Sequence, residues 1–204
     1  MPVLTHGWSL LALVAILAYL LGAVPFGLVI ARLFGLGDIR QIGSGNIGAT
    51  NVLRTGNKLA ALLTLVLDAG KGMIAALIAR VTLGEDAAQL AALVSFLGHI
   101  YPVYLGFKGG KGGATFLGTL LALSFPVGLA ACATWLVVAF LTRYSSVAAL
   151  VAAVTSAIWL MPFHEGRMIL LIVALTVLIY IRHWANLMRL RAGTEPKIGK
   201  KKAA

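Results

Sequence analysis

Long apolar runs separated by short polar connections fill the chain from end to end. The first, Ser9 to Phe34, is long enough to cross a bilayer as a helix, which takes about 20 apolar residues. Pro25 and Gly27 predict a local bend toward its end. Further runs follow at about Leu59 to Leu83, Ala87 to Leu105, Pro126 to Leu141, Val147 to Met161 and Met168 to Ile181. Between them, Gly113 to Phe125 is short for a full crossing. Counting it as one keeps the charges of the later connections on consistent sides of the membrane. The pattern predicts an all-α integral membrane protein with seven transmembrane helices, organised as one membrane-embedded domain over residues 1–204. A six-helix reading, with a re-entrant fourth segment, puts the C-terminus on the wrong side for its charge.

Charge sets the orientation. The connection after the first run carries Arg32, Arg40, Arg54 and Lys58 against Asp38, and Arg143 follows the fifth run. Beyond the last run, Arg182, Arg189, Arg191, Lys197, Lys200, Lys201 and Lys202 face only Glu195. Basic connections stay on the cytoplasmic side, so the N-terminus is expected outside and the C-terminus inside. The connections holding Glu85 and Asp86, and His164 to Arg167, then face outward. The N-terminal residues lack the basic n-region and cleavage site of a secretory signal, so the first helix is expected to remain uncleaved.

Composition agrees with this picture. The 204 residues are 60% hydrophobic and 11% charged, against about 25% charged in soluble domains. The net charge of +11 sits in connections and in the tail rather than in an aromatic-interleaved patch, so nucleic acid is not the expected partner. The single cysteine, Cys132, lies in an apolar run, which excludes an intramolecular disulfide and predicts a buried inert thiol.

Two stretches break the hydrocarbon pattern: GSGNIGATNVLR, Gly43 to Arg54, and FKGGKGGAT, Phe107 to Thr115. Glycine lets backbone N–H groups converge on an anion, and Arg54, Lys108 and Lys111 add fixed positive charge. Ser44, Asn46, Thr50 and Asn51 offer hydrogen-bonding groups in the first stretch, and Gly110 and Thr115 extend the second as a substrate contact. Thr50 could alternatively cap a helix. The second stretch is not a Walker A loop: that motif needs a glycine at the position of Leu105 and a Ser or Thr at that of Gly112. Topology delivers both stretches, Ser145 and Ser146, and the segment Arg182 to Asn186 to the same cytoplasmic boundary. His183 and Asn186, one helical turn apart, can present an imidazole and a carboxamide to one cavity. Asp68 and Lys71 read as a buried, mutually neutralising pair, and His99 as a structural support for the second stretch. Histidines without HxxH or HExxH spacing give no metal site.

GSGNIGATNVLR, GHIYPVYLGFKGGKGGAT and RHWANLMRLRAGTEPK, in that order, strongly resemble the signature regions of the bacterial acyl-phosphate:glycerol-3-phosphate acyltransferase family known as PlsY. Gly113 departs from it, since a valine is expected there. The resemblance implies transfer of a fatty acyl group from acyl phosphate to the sn-1 hydroxyl of glycerol 3-phosphate, giving lysophosphatidic acid and inorganic phosphate. It implies no cofactor, no obligate protein partner, and a place in the bacterial inner membrane with the active site facing the cytoplasm and lipid on all sides. Mapped by motif, Ser44, Arg54, Lys111, His183 and Asn186 form the substrate and catalytic site, with Ser146 a weaker match. Arg54, Lys111 and Ser44 are expected to bind phosphate, and His183, assisted by Asn186, to accept the hydroxyl proton unless a substrate phosphate does so. The competing class, a transporter for a small phosphorylated solute, predicts polar residues continuing to the outer face. Here they concentrate inside.

Overall fold

The computed structural model describes residues 6–199, so Lys200, Lys201 and Lys202 of the basic tail lie outside the described residues. Among the described residues every regular element is helical. The first apolar run is two helices, Trp8–Ala23 (α1) and Phe26–Leu33 (α2), broken at the predicted Val24–Pro25 step. A four-residue helix, Ala49–Val52 (α3), stands in the first glycine-rich stretch and precedes the long Lys58–Leu83 (α4). Glu85–Ile100 (α5) follows after Gly84. Then come Gly113–Leu123 (α6), Phe125–Thr142 (α7), Ser145–Trp159 (α8) and Ile169–Arg182 (α9). The sequence expectations placed these within a few residues. Trp184–Arg191 (α10) was not expected as a separate helix; it leaves α9 at 56°.

Among the described residues, four stretches are long and apolar enough to cross a membrane by themselves: Trp8–Leu33, Lys58–Leu83, Glu85–Leu105 and Phe125–Thr142. The bent pair Gly166–Arg182 with Trp184–Arg191 makes up to five, while Gly113–Leu123 and Ser145–Trp159 are shorter apolar helices. Leu13, Leu17, Val66, Val137 and Phe140 are exposed on the outside of the bundle. In water such a surface is untenable; in hydrocarbon it is the expected one.

Lipid tails are as apolar as leucine, so helices in a membrane associate by close van der Waals packing of small residues. The core follows this rule, with Ala76, Ala88, Ala92 and Ala153 all buried beside Phe96 and Phe116. Gly22 on α1 and Gly98 on α5 let those helices touch: a side chain at Gly98 would strike the backbone of Tyr19 and Ala23. On the other side of α5's partner helix, Thr115 Oγ1 of α6 donates to the Asp68 carbonyl of α4 at 2.9 Å.

Charged side chains, Lys71 and Arg80, repair what the breaks expose. The carbonyl of Val24, at the break between the two helices, accepts a 2.8 Å hydrogen bond from Lys71 Nζ, which also pairs with Asp68 at 2.9 Å. The pair therefore holds the first segment against α4. Arg80 does the same for α6, donating to the carbonyls of Ala122 and Leu123 at 2.7 and 2.6 Å, with Glu85 as its counter-ion at 2.6 Å. These carbonyls end a helix and have no intrahelical donor.

Candidate functional site

Ser44 lies in a turn that Asn51 builds from within. The Asn51 Nδ2 donates to the Ile39 carbonyl at 2.6 Å, and its Oδ1 accepts from the Ser44 N–H at 3.1 Å and from Arg54 Nη1 at 3.0 Å. Asn51 thus spends its carboxamide on the loop. Its service is to aim Ser44 and Arg54. Thr50 is not a cap: Gly48 precedes α3, and Thr50 Oγ1 meets Ser145 Oγ at 3.0 Å, tying the first stretch to α8.

The second stretch reaches the same place from the opposite side. Lys111 Nζ donates to Asn186 Oδ1 at 2.6 Å. Asn186 Nδ2 in turn donates to Glu195 Oε1 at 2.5 Å, and Ser146 Oγ donates to the same oxygen at 2.7 Å. The other carboxylate oxygen accepts from Arg189 Nε at 2.8 Å. Pro196, the next residue, offers its carbonyl to Arg54 Nη2 at 3.3 Å. The segment after α10 therefore folds back across the site and ties its cations together.

These groups surround a cavity of about 610 Å3. Ser44, Asn46, Thr50, Asn51, Arg54, Lys111, Ser146, His183 and Asn186 line it; Lys108, Gly110 and Thr115 do not. Thr115 is buried against α4 and Gly110 against His99, so both shape the walls from behind. Gly112, Gly113 and Ala114 also line the cavity, which places the N-terminus of α6, with its unpaired N–H groups and positive dipole end, on the anion side. Leu65, Leu117, Leu121, Trp135 and Leu136 add apolar wall to the same cavity, which Asp68 and His99 also line. Glu195 is the residue missed at the sequence level. Among tail lysines it reads as a stray acid, and only folding brings it to Asn186.

Electrostatics sort the polar groups into roles. Burial, outweighing the nearby Glu195 carboxylate, pulls the Lys111 ammonium down from 10.5 to about 8, with Arg189, Arg54 and Arg182 pushing the same way. Lys111 is charged at neutral pH, though only by a margin. Burial also lowers the Arg54 guanidinium from its ordinary value, yet Arg54 remains a cation, and its buried Nε has no partner. That orphaned donor fits an anion. His183 stands at the junction beyond the end of α9, where its Nδ1 meets the Ile179 carbonyl at 2.8 Å. A carbonyl only accepts, so Nδ1 carries the proton and Nε2 holds a free lone pair. Burial, ahead of the nearby Lys111 charge, lowers the imidazole to about 4, which keeps it neutral at physiological pH.

Residues 12–193 match a family model described as glycerol-3-phosphate acyltransferase. A protein of that name from Cereibacter sphaeroides is 62% identical over 201 residues, covering 98% of this chain and 96% of its own. One from Ruegeria pomeroyi is 58% identical over 203 residues, with both chains fully covered. Among solved structures, PlsY, an integral membrane glycerol 3-phosphate acyltransferase, superimposes in its glycerol 3-phosphate form with a TM-score of 0.87 at 41% identity, covering 93% of this chain and 96% of that one. Its lysophosphatidic acid form gives 0.83 at 39% identity, with 93% and 95% covered. With the sequence matched across nearly its whole length and the fold shared, the chain belongs to the glycerol-3-phosphate acyltransferase family.

Proposed function

We propose that this protein transfers a fatty acyl group from acyl phosphate to the sn-1 hydroxyl of glycerol 3-phosphate, releasing lysophosphatidic acid and inorganic phosphate. One observation carries the reading: a single cavity joins a cationic, hydroxyl-bearing end to an apolar groove. Two phosphorylated substrates, one with a hydrocarbon tail, need that combination. The solved PlsY forms named for glycerol 3-phosphate and lysophosphatidic acid support the acceptor and the product.

Acyl phosphate is an activated mixed anhydride, so the protein has mainly to orient and to stabilise charge. Arg54, Ser44 and Lys111 hold phosphate groups. The hydroxyl oxygen attacks the acyl carbon, the carbonyl oxygen gains charge beside the N-terminus of α6, and the bond to the phosphate oxygen breaks. The leaving phosphate departs with the electron pair. His183 Nε2 accepts a hydrogen bond from the attacking hydroxyl and aligns it. An imidazole near 4 is a weak base at neutral pH, so the departing phosphate is the better final home for the proton.

The same reading places seven membrane-crossing segments, counting the short Gly113–Leu123 and Ser145–Trp159, with the N-terminus outside and the C-terminus cytoplasmic in a bacterial inner membrane. The cavity then opens to the cytoplasm, where glycerol 3-phosphate is dissolved, and laterally toward the acyl chains of the bilayer. The purified protein is expected to release phosphate from synthetic palmitoyl phosphate only when glycerol 3-phosphate is present. Release without acceptor, or solute flux in vesicles without release, would overturn the assignment.

A further inference from the structure

Arg182 was given no part in the site by its sequence beyond marking the cytoplasmic side of the membrane. Its guanidinium reaches across to the second glycine-rich stretch, donating from Nη2 to the Gly109 carbonyl at 2.9 Å and from Nε to the Gly110 carbonyl at 3.2 Å. The same group lies 5.4 Å from the centre of the Tyr101 ring, and the Tyr101 carbonyl is itself anchored by Tyr19 Oη at 2.6 Å. The stretch is therefore held on two sides. From beneath, the Gly110 N–H donates to the His99 carbonyl at 3.1 Å, and the His99 ring fills the space that a side chain at Gly110 would need.

The Gly110 carbonyl belongs to the peptide unit that begins Lys111. That unit is planar and trans, so fixing the carbonyl also fixes the Lys111 N–H on its opposite edge and the direction in which Lys111 Cα leaves. Arg182 is the immediate neighbour of His183, and Lys111 Nζ binds Asn186 one turn further on. One guanidinium thus bridges the two segments that hold the reacting groups.

We propose that Arg182 is a positioning residue for acyl transfer, gripping the Gly109 and Gly110 carbonyls so that Lys111 is held in register with His183 and Asn186. It acts through backbone, and it does so with a planar two-pronged donor that a lysine does not reproduce. The inference rests on the acyltransferase reading of the cavity. It adds to that reading a residue which does not line the cavity.

The test uses the full-length protein in lipid, with R182K and R182Q compared to the unaltered chain in steady-state kinetics with palmitoyl phosphate and glycerol 3-phosphate. R182K keeps the charge and loses the fork. It is expected to lower kcat about tenfold per folded enzyme, with KM for glycerol 3-phosphate changing less than threefold. R182Q is expected to lose more. Lys111 is faced by Glu195, Arg189, Arg54 and Arg182 as charged groups and by Asn186 and His183 as neutral ones. Removing the Arg182 charge should therefore move the alkaline limb of kcat upward in R182Q and leave it in place in R182K. An arginine that served folding alone would change the amount of folded protein and leave kcat per folded enzyme unaltered in R182K. If R182Q does not fold, the kcat of R182K decides alone. The proposal is overturned if folded R182K keeps kcat within twofold, if its loss lies wholly in KM, or if folded R182Q leaves the alkaline limb unmoved. Lack of acyl transfer by the unaltered chain would instead sink the reading beneath it.

Discussion

Lys111 and Asn186, 75 residues apart in the chain, are joined by a 2.6 Å hydrogen bond from Nζ to Oδ1. The contact closes the site. It ties the loop before α6 to the helix after α9, and it leaves the ammonium with a neutral partner, so its charge remains available to a phosphate.

That arrangement predicts a pH profile. Lys111 is held at about 8, so kcat/KM should fall as pH rises through about 8 while the ammonium is lost. The stability contribution runs the other way. A lysine whose folded value lies below 10.5 binds fewer protons than the unfolded chain between about 8 and 10.5, so this group adds stability as pH rises through that window. Activity lost above pH 8 without a falling melting temperature identifies ionisation. Parallel loss of both would point to unfolding instead. K111R should push the alkaline limb out of range, whereas K111M should lower kcat/KM by about 100-fold through loss of a charge-assisted contact in a dry site.

Glu195 carries a second prediction. Its carboxylate accepts from Ser146, Asn186 and Arg189, and those bonds outweigh burial in holding it below the ordinary glutamate value. E195A removes the acceptor for all three and leaves the buried Ser146 and Asn186 donors unmet, which costs about 1–3 kcal/mol for each, with less for the half-exposed Arg189. The variant should melt earlier and lose at least tenfold in kcat/KM. E195Q keeps an acceptor oxygen and should fall between. The sign for pH follows: a depressed carboxylate contributes stability at neutral pH that is lost as pH falls through its folded value.

How much of this was written in the sequence differs from residue to residue. Apolar runs and loop charge located the helices because lipid demands uninterrupted hydrocarbon, and the break at Pro25 was legible because proline removes a donor. Ser44, Arg54, Lys111, His183 and Asn186 stood out as polar groups in glycine-rich or helix-end contexts, and the fold gathers all five around one cavity. Glu195 and Arg80 did not stand out. Arg80 reaches carbonyls 42 and 43 residues away and Glu195 a serine 49 residues away, and no local periodicity encodes such partners. Asn51 was visible as a donor but not as a loop brace. Which of a carboxamide's bonds are already used is a tertiary fact.

The pair inside the membrane gives a test of stability. Asp68 and Lys71 are both buried and 2.9 Å apart. Breaking such a pair by removing one partner costs about 3–5 kcal/mol because it strands a charge, while removing both is milder. D68N and K71M should each lower the melting temperature in detergent more than the double variant does. Additive losses would mean that the two side chains are stabilised separately. K71M and the double variant both also take the Lys71 donor from the Val24 carbonyl.

The apolar walls predict substrate selection. Leu121 and Trp135, on α6 and α7, line the cavity together with Leu65 of α4. On the proposed reading, with the donor phosphate held by Arg54 and Lys111, a fully extended acyl chain would lie along these walls. Each methylene contributes about 0.8 kcal/mol when it leaves water for an apolar environment, and a wall that blocks the chain forfeits that contribution for every carbon excluded. L121W narrows the groove, so kcat/KM should shift toward shorter acyl phosphates by several-fold per two carbons. W135A widens it and should relax discrimination against longer chains. In both variants KM for glycerol 3-phosphate should change less than twofold, because that substrate has no hydrocarbon to place there. A matched series of acyl phosphates, assayed for phosphate release, reads both effects. An unchanged chain-length profile in the two variants would mean that the tail leaves the cavity by another path between the helices.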